Sequence, residues 1–163
     1  MKTIKFLTLC VIATAMMAVS CKKASDPENT TPTANGSIIL DGKTYTVSYG
    51  FLVHSGSEFI FTFSDAKDVI SGNVEATFAI IPPTGTLDNG TYTYNPNHTS
   101  NLIEAFLRLK EGQNEAEWLC YQTGSITISK TGDVYDISFT YIGKYNSVQK
   151  TITGSFKGAV TNY

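Results

Sequence analysis

Few side chains in this chain could do chemistry. It holds three cysteines and two histidines. Cys120 stands between Leu119 and Tyr121, and a nucleophilic thiol needs a base within hydrogen-bond reach. Only His54 and His98 could serve. His54 falls on the polar parity of an alternating segment and His98 follows an Asn-Pro-Asn turn, so both read as solvated side chains. Cys120 then reads as a small buried hydrophobe. Two distant histidines without an acidic or thiol partner at ligand spacing make no zinc site. Asp65 and Asp68, near Lys67, read as a charged hairpin end, whereas a glycosidase needs two carboxylates facing each other across a cleft. There is no Gly-x-Ser-x-Gly elbow and no phosphate loop. The expectation is therefore no catalytic residue, no metal and no cofactor. Aromatic rings are the other resource: nine Tyr, nine Phe and one Trp. Most are expected to fill a core, but rings also suit apolar ligands and the faces of sugars. Trp118, in the polar stretch Asn114-Glu115-Ala116-Glu117, is the first candidate for an exposed, ligand-binding ring. Tyr121 and Tyr145 come next.

The first residues carry the firmest inference. Met1-Lys2-Thr3-Ile4-Lys5 is basic, residues 6–19 are uncharged and largely apolar, and Ser20 and Cys21 follow. That order is a secretory signal. The apolar run is shorter than the roughly 20 residues that span a bilayer. Ala18-Val19-Ser20-Cys21 resembles the bacterial lipobox, departing from it at Ala18, where leucine is commonest. The resemblance implies that residues 1–20 are cut off, that the Cys21 thiol receives a diacylglyceryl group and that the new amino end is acylated. One chain anchors weakly, and each further buried CH₂ adds about 0.8 kcal/mol, so three chains hold permanently. Cys10 leaves with the signal and Cys21 is blocked by lipid, which leaves Cys120 without a disulfide partner. Residues 21–35 comprise the lipidated Cys and a flexible tether, because after Cys21 they contain Pro, Ser, Thr and Asn but no large apolar residue. Asp26 and Glu28 are separated and Lys22 and Lys23 precede them, so no acidic sorting cluster sets which membrane face the protein occupies.

Those expectations place the folded part at residues 36–163. Without Lys2 and Lys5 the mature chain has ten basic residues against fourteen acidic ones, which argues against a nucleic-acid partner. Apolar residues then recur with a period of two. Tyr45, Val47, Tyr49, Phe51 and Val53 share one parity; so do Phe59, Phe61 and Phe63, and later Tyr135, Ile137, Phe139 and Tyr141. Such alternation predicts strands with one buried and one wet face. Turn residues punctuate them at Asp41-Gly42, Ser55-Gly56, Asn95-Pro96-Asn97, Glu111-Gly112, Thr123-Gly124 and Thr131-Gly132-Asp133, among others. Residues 101–110 suit either a strand or a short helix, and their flanks favour the strand. The fold class is all-β, with about nine or ten strands in a single antiparallel barrel or a two-sheet sandwich.

The lipobox and tether, followed by Leu40-Asp41-Gly42-Lys43-Thr44-Tyr45, Leu87-Asp88-Asn89-Gly90-Thr91-Tyr92 and Ile152-Thr153-Gly154-Ser155-Phe156-Lys157-Gly158, resemble a broad group of small all-β lipoproteins of Bacteroidetes. Some of these look like calycin or lipocalin-type barrels. The resemblance implies a bacterial envelope protein, most simply an outer-membrane lipoprotein, attached to the membrane through its N-terminal lipid. The shared motifs specify turns and inward aromatics, not chemistry. Three functions follow as expectations: a non-catalytic binding or accessory module for an envelope protein or glycan, a lipocalin-like carrier of a small apolar ligand, and an inhibitor of an envelope or surface enzyme.

Overall fold

The computed structural model describes residues 34–163. The signal segment, Cys21 and the tether through residue 33 lie outside the described residues. Eleven strands follow: β1 (Asn35–Leu40), β2 (Lys43–Val47), β3 (Tyr49–Ser55), β4 (Glu58–Ser64), β5 (Val74–Ile81), β6 (Gly90–Thr93), β7 (Asn101–Glu111), β8 (Asn114–Thr131), β9 (Val134–Tyr145), β10 (Val148–Ala159) and β11 (Thr161–Asn162). One 3₁₀ turn, Val69–Ser71, interrupts them. The all-β expectation holds, and residues 101–110 are strand.

Tight turns set the register. Leu40 faces Lys43 across Asp41-Gly42, whose φ values of 56° and 76° are those of a type I′ turn, the form that matches strand twist. Ser55 and Glu58, Glu111 and Asn114, and Thr131 and Val134 are likewise joined by two residues, the first a glycine at positive φ. The fifth two-residue hairpin was not legible. It uses Asn146 and Ser147, both at positive φ, and contains neither Gly nor Pro. Thr123-Gly124 errs the other way: it is no chain reversal but a bulge inside the long β8.

Hydrogen bonding runs β11-β3-β4-β5-β7-β8-β9-β10-β1-β2, with β6 beside β8. Pairings between strands are antiparallel except β11 on β3. The single mixed sheet curls into an open, half-barrel form. Its path ends near β3 on one side and at β2 on the other, and only Ser48 separates these along the chain. Ser48 donates its N–H to the Ser64 carbonyl at 2.9 Å. That kink resets the alternation expected through residues 45–53. Val47 points inward, but after the kink Gly50 and Leu52 do, Phe51 is covered by the Tyr163 ring at 6.0 Å, and Val53 is exposed.

Aromatic rings meet across the inside. Phe63 of β4 lies 4.6 Å from Phe156 of β10, and Phe78 of β5 lies 4.5 Å from Phe139 of β9. Each ring fully withdrawn from water contributes about 1.5–3 kcal/mol. Two glycines make room: a Cβ at Gly154 would sit 2.4 Å from the Phe139 ring, and one at Gly50 would sit 2.5 Å from that of Phe156. The opposite face of β4 and β5 differs from the wet face expected. Thr62, Ser64, Glu75 and Thr77 are all buried there. Each finds a polar partner, as burial demands. Thr62 and Thr77 share a 3.0 Å bond, Thr77 donates to Glu75, Ser64 accepts from the Ala66 N–H, and Arg108 pairs with Glu75.

Candidate functional site

The three ring candidates divide. Trp118 is buried, at 8% exposure, which corrects the expectation of an exposed ring. The register explains it: Trp118 opposes Leu107, and the inward parity of β8 carries Ala116, Trp118 and Cys120 while Glu115 and Glu117 point out. The acidic neighbours that made the stretch look polar belong to its other face. Tyr145 stands with Trp118, ring centroids 5.5 Å apart, and donates its hydroxyl to the Glu115 carbonyl at 3.4 Å. The Lys150 ammonium lies 5.6 Å from the Trp118 ring centre and is paired with Asp41. Trp118 and Tyr145 thus form one packed cluster at a hairpin end. Tyr121 falls in the β8 bulge, but its side chain lies outside the described residues.

A cleft opens where β8 changes partners. The β7–β8 ladder runs from Glu111 and Asn114 to Phe106 and Leu119, where it stops. The β6–β8 ladder starts only at Thr93 and Ser125. Between them the bulge of residues 120–124 lets β7 and β8 part. Gly124 makes the bulge possible, since a Cβ there would lie 2.5 Å from that of Tyr141. The chain closes one end of the opening. Tyr94 donates its N–H to the Gly124 carbonyl and Asn95 to that of Leu102, each at 2.8 Å. The following turn is held by its own side chain, with the Asn97 N–H on Asn95 Oδ1 at 3.0 Å and Asn95 Nδ2 on Thr99 Oγ1 at 3.2 Å. This carries the His98 ring to 6.2 Å from that of Tyr94, nearly perpendicular to it.

The resulting cleft holds about 250 Å³ and is lined by Tyr94, His98, Ile103, Glu104, Ala105, Leu119 and Cys120. Ile103, Ala105 and Leu119 give it an apolar floor, and Leu119 is 44% exposed at its mouth. Cys120 is partly buried and donates its thiol to the Thr123 carbonyl at 3.6 Å. Burial pushes that thiol up to about 11, so it is protonated near neutral pH and is a poor nucleophile. Burial also raises the Tyr94 hydroxyl, with further upward contributions from Cys120 and Glu104. Behind the thiol, Tyr141 is wholly buried and its hydroxyl has no hydrogen-bond partner. Among the described residues no cluster of three His, Cys, Asp or Glu could hold a metal ion.

The cleft brings together His98 and Cys120, weighed separately in the sequence, with Tyr94 and Glu104, which were not singled out. One signal pointed here: a glycine inside a long alternating segment marks a bulge as readily as a turn. No family model matches the chain, and no curated protein matches it either.

Proposed function

We propose that this protein is a non-catalytic binding module of the bacterial cell envelope. It is tethered to the outer membrane by the lipid on Cys21 and binds through the cleft between β6, β7 and β8. The cleft carries the reading. Four chemically different groups, Tyr94, His98, Glu104 and Cys120, converge there over an apolar floor, which is the usual make-up of a small-ligand site. The alternative, a carrier of a small apolar ligand, would use the interior. Phe63, Phe78, Phe139 and Phe156 pack against one another there, which favours the outside. A thiol held in its protonated form supports binding over covalent attack.

Protection of Cys120 tests the site. The acylated chain, in detergent micelles, is titrated with phenethylamine, 2-phenylethanol and 3-phenylpropionate while N-ethylmaleimide alkylates Cys120. Cys10 is gone and Cys21 blocked in that form, so Cys120 is the reacting thiol. At least one probe slows alkylation in a saturable way. Unchanged rates with all three, up to tens of millimolar, would contradict binding at this cleft.

A further inference from the structure

We infer that the cleft selects a small organic cation, an ammonium group carried on an apolar or aromatic body. The inference rests on the cleft being a binding site and adds the class of its ligand. Glu104 is the one carboxylate in the lining, and no lysine or arginine lines it. The one carboxylate of the lining is therefore not offset by any cation within the lining. The other polar atoms also accept. The Tyr94 oxygen can accept through a lone pair, and the Cys120 thiol directs its S–H to the Thr123 carbonyl. An ammonium supplies N–H donors to the Glu104 carboxylate and to these lone pairs. Tyr94 and His98 stand nearly at right angles, so one presents a face where the other presents an edge. An aromatic face such as that of Tyr94 attracts a cation as well as an apolar body. Ile103, Ala105 and Leu119 then cover that body. The rise of the Tyr94 hydroxyl, caused in part by Glu104, agrees with the carboxylate and the phenol facing the same space.

The probes already named separate this inference from the reading beneath it. Phenethylamine and 2-phenylethanol share a body and differ in charge. Dissociation constants are measured by calorimetry on the acylated chain in micelles, for the native sequence and for Glu104→Gln. Glu104 is exposed on β7, so the variant keeps its fold, checked by an unchanged thermal midpoint. The amine binds at least tenfold tighter than the alcohol, and Glu104→Gln removes most of that preference. Equal affinities, or a preference that survives Glu104→Gln, overturn the cation inference but leave the cleft as a binding site. Failure of the amine and the alcohol alike overturns the inference, and failure of 3-phenylpropionate as well overturns the site.

Discussion

Cys120 is the one free thiol among the described residues. A thiol beside a histidine invites a nucleophilic reading, and the surroundings oppose it. The group sits against β7 and β9, its proton is spent on the Thr123 carbonyl, and burial raises it from an ordinary 9.0 to about 11. Alkylation by iodoacetamide at pH 8 should therefore run well below that of a small free thiol. The rate should keep climbing toward pH 11, whereas a profile levelling at pH 8–9 would show an unburied thiol. The same shift has a consequence for stability. The folded thiol holds its proton more tightly than the unfolded one, so its contribution is complete below pH 9 and is lost as pH rises from 9 to 11. Cys120→Ala should flatten that part of the stability profile, measured by urea unfolding at each pH. Little of this was legible beforehand. Its residue type and neighbours made Cys120 a small buried hydrophobe, but the groups across the cleft come from Tyr94, His98 and β7.

At the scale of elements, the strands were legible wherever one face was buried and the other wet. Phe59, Phe61 and Phe63 on β4 and Tyr135, Ile137, Phe139 and Tyr141 on β9 point inward as their parity requires. Three kinds of local event broke the reading. Ser48 shifts the phase between β2 and β3. Thr123-Gly124 bulges a strand instead of ending it. Asn146-Ser147 turns the chain without Gly or Pro. Each is decided by what the neighbouring strand does, which the local residue types do not report. The outer face of β5 is a fourth departure, because Glu75 and Thr77 are polar yet buried. Arg108→Ala would leave the Glu75 carboxylate buried without its ion pair, at a cost of about 3 kcal/mol. A lower urea midpoint with an unchanged slope is the expected result. Lys43→Ala, which removes an exposed pair with Glu111, should leave the midpoint in place. Equal effects from the two would mean that the Glu75 site is not desolvated.

For the molecule as a whole, the division of labour is between an address and a site. The proposed address lies in contiguous residues, from Lys2 to Cys21. The site is written in residues 94, 98, 103–105 and 119–120, which come together only because β8 exchanges β7 for β6 along its length. The candidate rings Trp118 and Tyr145 were legible singly, as ring types, but not as packed partners, since a polar flank on one strand face says nothing of the other. A lipid-tethered binder needs both halves, and lipid on Cys21 is the half a single experiment reads. The full chain and its Cys21→Ala variant, expressed in a bacterium that processes lipoproteins, are fed an alkyne-tagged palmitate and fractionated. The native chain should carry label and be recovered with the outer membrane, and Cys21→Ala should do neither. A native chain that is unlabelled and released in soluble form would contradict the lipid tether.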